Sequence, residues 1–198
     1  MNVKTAIIEP VRAAMKAATQ QASISVVKTS KVSCKPGCSA CCKRYVAISL
    51  AEAMVMVDFL KKNSKWDRVA KTAEEQRKMA AKVKPLAWFK MGIPCPVLNQ
   101  ARCDAYPVRP TTCSAHFVKS PPEACSPGST SVNFYEPYES SEAHITFAKQ
   151  FEIAVGKDSF LRTKAPMPIA LLIAEKLSMD PGPDFDNIIA SIAKEFVA

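Results

Sequence analysis

Four of the eight cysteines in this 198-residue chain fall within nine positions, Cys34-Lys-Pro-Gly-Cys38-Ser-Ala-Cys41-Cys42. Thiols so crowded do not suit routine core packing. The reactive and ligating form of cysteine is the thiolate, and several thiolates brought together repel one another. A divalent metal or an iron cluster among them relieves that repulsion and lowers each thiol pKa. A second group, Cys95, Cys103 and Cys113, recurs at intervals of eight and ten. Cys125 follows in the turn-rich run Pro121-Pro-Glu-Ala-Cys-Ser-Pro-Gly128. The expected ligand set is therefore Cys34, Cys38, Cys41, Cys42, Cys95, Cys103 and Cys113, with Cys125 as an eighth member.

The residues between the thiols fit this chemistry. Pro36-Gly37 suits a tight turn, proline setting φ and glycine accepting a positive φ, which would fold Cys34 and Cys38 toward one point. Four thiolates around one zinc, or around an oxidised cubane cluster, keep a formal charge of about −2. Cations are expected nearby, and Lys43, Arg44 and Arg109 are placed for that role. Arg109 is expected to donate to sulfur or to pack against Tyr106, making these two the candidate cofactor-binding residues beside the thiols. His116 lies three residues beyond Cys113, a common ligand offset, yet a lone histidine more often serves structure. His144, inside a predicted helix, is not expected to ligate.

The metal is left open at this stage. Zinc takes four ligands, so eight cysteines supply two closed sites, or one site and spare thiols. Adjacent Cys41 and Cys42 point in different directions, which suits two centres or one multinuclear centre. A cubane cluster takes four thiolates, three from the first group and one from the second. The run Cys34-x3-Cys38-x2-Cys41 also has the spacing of radical S-adenosylmethionine enzymes, but the barrel of βα repeats that carries it there has no counterpart in this pattern.

The elements that must hold these thiols read as mainly α, a single helical domain over residues 1–198 with a cysteine-rich, loop-rich metal-binding region at 34–125 and helices over 140–198. Ile8, Val11, Met15 and Ala18 predict an amphipathic helix over Thr5–Gln20, with Pro10 at its first turn or at a kink. The β-branched, serine-rich stretch 22–33 predicts an extended lead-in to Cys34. Ser49-Leu-Ala-Glu52 is a capping box for a helix to about Lys62. After Asn63-Ser64, Ser64 should cap a helix from Lys65 to about Val83, stopped by Pro85. Residues 92–138 hold many of the prolines and read as loops and short helices. Ser140 or Ser141 should cap a helix to about Val155, and 166–178 and 184–197 read as two more, separated by Pro181-Gly182-Pro183. Trp66, Trp88 and Phe89 look like helix-packing residues, and Tyr135 and Tyr138 like turn-packing ones.

With 48% hydrophobic residues the chain can bury a core. Its net charge of +9 is uneven, with 18 Lys or Arg against 6 Asp or Glu in residues 1–91 and 9 against 12 beyond. The basic part could meet nucleic acid, an acidic protein or a membrane surface, although a solvated lysine-rich helix face accounts for it equally simply. No signal-peptide pattern and no apolar run of about 20 residues is visible, so a cytoplasmic protein with reduced thiols and no membrane partner is expected.

Cys34-x3-Cys38-x2-Cys41-Cys42, Cys95-Pro-Val-Leu98 and Cys103-Asp-Ala-Tyr106-Pro-Val-Arg109-Pro110-Thr-Thr-Cys113 together resemble the YkgJ-type cysteine-cluster family, small bacterial and phage proteins with a zinc- or iron-chelating CxxCxxCC domain. The resemblance covers residues 34–113. It implies metal chelation by the matching cysteines, with zinc or an iron–sulfur cluster as the cofactor. Through a distant similarity to the cysteine region of flagellin lysine N-methylases, it also implies an alternative in methyl-transfer chemistry on an iron–sulfur centre. A metal-stabilised interaction module for protein or nucleic acid is the other alternative. One departure stands out: where the family usually has arginine after the last cysteine, this chain has Ser114.

Overall fold

Helix formation in this chain is governed by which faces find a partner. The computed structural model describes residues 4–29, 32–35, 37–127, 137–157 and 159–179. The helix expected over 184–197, the Pro181-Gly182-Pro183 break, Tyr135, Pro36 and the side chain of Tyr138 lie outside that description. A π-helical turn, Lys4–Ile8, leads into α1 (Glu9–Thr29), with Pro10 in the first turn. Residues 22–29 are thus helical, not the extended lead-in their composition predicts. Tertiary contact overrides propensity here: Ala22 and Ser25 are buried, α1 packs along α6 (Ser141–Val155), and Ser140 Oγ donates to Ser25 Oγ at 3.0 Å.

The centre of the protein is α2 (Leu50–Lys62), whose residues Leu50 through Val57 are all buried, together with Leu60. Burying each of its Met, Val and Leu side chains stabilises the fold by about 1.5–3 kcal/mol. Its N-terminus is the predicted capping box: Glu52 N–H donates to Ser49 Oγ at 3.3 Å, and the Ser49 backbone N–H donates to Glu52 Oε2 at 3.1 Å. The cap sits on β1 (Ala47–Ser49), which pairs antiparallel with β6 (Lys164–Pro166), placing Ala47 opposite Pro166. The chain continues from β6 directly into α7 (Met167–Met179), which packs against α2 and α3 (Trp66–Lys82).

Ser64 does break the chain, but it takes a left-handed φ of 54° and does not cap; Lys65 occupies the N-cap of α3 without a side-chain bond. The stop expected at Pro85 is met, since α3 ends at Lys82, and Pro85 itself starts a further element. It occupies the first turn of α4 (Pro85–Met91), where the missing N–H costs nothing. Trp66 and Trp88 are buried, as helix-packing residues should be. Beyond α4 the chain makes a two-residue hairpin, β2 (Leu98–Asn99) and β3 (Arg102–Cys103), then α5 (Thr111–Ser114), β4 (His116–Val118) and β5 (Pro137–Glu139), the last two paired. The architecture is mainly α, with three two-stranded ribbons among the described residues. No described helix is long and apolar enough to cross a membrane.

Candidate metal centre

The cysteines are carried on turns, short strands and short helices that local and long-range hydrogen bonds hold together. Ser33 N–H donates to the Val118 carbonyl at 2.8 Å, laying the segment before Cys34 along β4, and Val118 N–H points at Cys34 Sγ at 3.4 Å. Gly37, at φ +86°, supplies the positive φ expected of it, and Cys38 N–H closes the turn onto the Lys35 carbonyl at 3.0 Å. Cys41 and Cys42 sit in a single 3₁₀ turn, Ala40–Lys43. The second group is tied to this turn through the main chain, because Cys95 N–H donates to the Cys42 carbonyl at 2.7 Å.

The hairpin carrying Cys103 is held from the side by α3. Arg68 donates to the Pro96 and Leu98 carbonyls at 3.2 and 3.3 Å and to Asp104 Oδ2 at 2.8 Å, while Lys65 Nζ lies 3.1 Å from Asp104 Oδ1. Cys113 rides on α5, whose first residue is anchored by the central helix: Thr111 N–H donates to Glu52 Oε1 at 2.9 Å. The buried Glu52 thus caps α2 with one carboxylate oxygen and positions Cys113 with the other. Cys125 ends the 3₁₀ turn Pro122–Cys125, which packs against the turn of Cys41 and Cys42, and it is buried.

Six thiols converge on one cavity of about 470 Å³: Cys38, Cys41, Cys42, Cys95, Cys103 and Cys113. Arg109 and Tyr106 line it as well, with the guanidinium 4.4 Å from the Tyr106 ring centroid, so the expected packing of this pair is observed. Buried Val97, Met56 and Met167 form other parts of the wall, whereas Arg102 and Tyr106 are exposed. Cys34 and Cys125 do not line the cavity. They stand beside it, close enough to Cys41 and Cys38 for those thiols to add to the rise in the pKa of Cys34 and Cys125 that burial causes. His116, on β4, and His144, on α6, are likewise outside the wall, and no described His, Asp or Glu contributes to it. Ser114, where the resembled family usually has arginine, is buried within α5.

The electrostatics are those of clustered, partly desolvated thiols. Burial pushes Cys95 up to about 12 and Cys125 to about 11, and it raises Cys34, Cys103 and Cys113 as well. Cys41 goes the other way. The Cys42 thiol donates to it, its own backbone N–H helps, and Arg109 and Arg44 add positive potential. Cys42 is raised because the Cys41 thiolate holds its proton, with desolvation adding to the effect. Arg109 partly opposes the rise at Cys34, Cys103 and Cys113.

Among the described residues, no three Cys, His, Asp or Glu side chains already surround one point at bonding distance. The donor set nevertheless fits a thiophilic metal: the ligating atoms facing the cavity are almost all sulfur, they are desolvated, and a guanidinium stands beside them. Of the residues named from the sequence, six cysteines, Arg109 and Tyr106 line the cavity, and Cys34 and Cys125 do not. Sequence reasoning missed Met56 and Met167, which read only as apolar helix residues, and it missed the second partner of Glu52, which is 59 positions away.

A helical scaffold thus gathers the cysteines into one cluster, the arrangement of a cysteine-cluster protein. Within that class, residues 33–130, 98 of the 198, match the CxxCxxCC family, described as a "Putative zinc- or iron-chelating domain". The match supports metal binding through the cysteines and takes in Cys125, which lies beyond the motif of residues 34–113. No curated protein and no solved structure matches the chain.

Proposed function

We propose that this protein binds a polynuclear, thiolate-ligated metal centre, an iron–sulfur cluster, in the cavity between the two cysteine groups. The observation that carries the reading is the convergence of six thiols on one space of about 470 Å³. A single tetrahedral zinc draws four sulfurs to about 2.3 Å from itself and has no use for a cavity of that size or for six donors. A cubane takes four thiolates and occupies a volume of its own. Its four ligands would be drawn from Cys41, Cys42, Cys95, Cys103 and Cys113. Cys38 is the sixth donor at the wall, and Arg109 offsets the negative charge of the loaded centre.

A second reading draws on the grouping of the thiols. Cys34 and Cys125 feel Cys38 and Cys41, while Cys42, Cys95, Cys103 and Cys113 form a second set, on every member of which Cys41 also acts. Two groups of four would suit two zinc ions. Anaerobic purification with elemental analysis, acid-labile sulfide and an absorption spectrum separates the readings. The cluster predicts a brown protein with about four irons and matching sulfide per chain. A colourless protein with about two zincs and no sulfide would replace it with the second reading.

A further inference from the structure

Met167 lies outside the stretch that matches the chelating domain, yet its sulfur reaches that domain's thiols. As the first residue of α7 it is fixed by two constraints: the β1–β6 pairing immediately before it, and its own N–H, which donates to the Val46 carbonyl at 2.9 Å. The side chain is buried, lines the six-thiol cavity, and brings Sδ to 3.1 Å from Cys95 Sγ. A methionine that merely fills a core gap has no need to aim sulfur at sulfur.

In the metal-free thiol form this contact is a hydrogen bond, the Cys95 S–H donating to the thioether. Metal binding removes that proton, because the ligating form of cysteine is the thiolate. The two sulfurs would then confront each other with lone pairs, an arrangement that becomes favourable when both face the positive charge of a bound centre. Thioethers and thiolates are both soft donors that select the same thiophilic ions.

We infer that Met167 Sδ is a metal ligand of the centre in the thiol-lined cavity, taking a position beside Cys95 that a cysteine would otherwise fill. The inference rests on the reading of that cavity as a metal site. It adds a neutral donor from the C-terminal part of the chain, and a thioether binds more weakly than a thiolate. The position it occupies is therefore the most readily exchanged one in the centre.

The test is metal-edge X-ray absorption on the full chain prepared with ordinary methionine and with selenomethionine. The protein is loaded anaerobically with zinc(II) alone in one arm and with iron(II) and sulfide in the other. In whichever arm loads, selenomethionine should introduce a selenium backscatterer at the metal edge. That signal should vanish in Met167→Leu and persist in Met56→Leu. Loading with no selenium signal overturns the inference while leaving the cavity as a metal site, and this comparison needs no variant to fold. A signal that survives Met167→Leu assigns the ligand to another methionine and also overturns it. Failure of both arms to load removes the metal-site reading and this inference with it.

Discussion

Replacing Glu52 with alanine is expected to destabilise the protein by about 3–5 kcal/mol and to weaken metal binding, although Glu52 does not line the cavity. The magnitude follows from what the carboxylate accepts: the Ser49 N–H at 3.1 Å, the Ser49 hydroxyl at 2.7 Å and the Thr111 N–H at 2.9 Å. The Ser49 hydroxyl can turn to other acceptors. The two backbone N–H groups are left buried, and each unsatisfied donor costs about 1–3 kcal/mol. Loss of a charged acceptor sets the upper end of the range. Glu52→Gln should fall between alanine and wild type, because the amide offers one oxygen and confronts one of the two N–H donors with its own NH₂. Urea unfolding of both variants, metal-free and loaded, gives the numbers. The loaded Glu52→Ala protein should lose more than the metal-free one, since α5 carries Cys113 and its first N–H loses its anchor. A change below about 0.5 kcal/mol in both states, the range of an ordinary surface substitution, would refute the argument that one carboxylate joins the central helix to the thiol cluster.

Metal affinity should rise with pH between about 6 and 9, because loading must expel the protons that burial holds on Cys95, Cys125, Cys34, Cys103 and Cys113. For the metal-free protein the sign is opposite. Thiols raised above their ordinary 9.0 contribute stability that is fully present below that value and is lost as pH climbs toward about 11 and 12. Chelator competition and urea unfolding across pH measure the two trends, and a pH-independent affinity would contradict the first. Arg68→Ala should cost about 1–2 kcal/mol after allowance for its partial exposure, and should loosen the hairpin bearing Cys103, read as faster amide exchange over residues 96–104. Gly37→Ala should cost about 1 kcal/mol from backbone strain alone, since φ is +86° and no atom lies within 4 Å of an added Cβ; a neutral result would mean the turn before Cys38 has relaxed.

The helices whose signals are local were legible: the Ser49–Glu52 box, the Ser140 cap of α6 and the apolar run of α7 all appear where the sequence places them. So was the loop character of the cysteine-rich region, because prolines and scarce apolar periodicity argue against long elements there. What failed depended on distant partners. Residues 22–29 carry extended-chain propensity, but Ala22 and Ser25 find a buried place beside Ser140 and α6. Pro85 marks a boundary in either reading, and only the packing of Trp88 decides that a helix starts there. In the site, residue type revealed the cysteines, since a thiol cluster is rare and chemically loaded. Glu52, Arg68 and Met167 act on it across 59, 36 and 72 positions, and their types alone announce a cap, a surface cation and a core residue.

The bond from Cys95 N–H to the Cys42 carbonyl makes the two cysteine groups neighbours although about fifty residues separate them. An ion gripped from both sides of that bond acts as a removable cross-link over a long loop. By the loop-entropy estimate used for disulfides, closing a loop of that length disfavours the unfolded chain by about 4 kcal/mol. Loaded chain would unfold with its middle still tethered, whereas stripped chain must find a contact of high sequence separation unaided, the slow kind of search. The redox state and metal supply of the surroundings would then set how quickly this protein refolds, as well as how stable it is once folded.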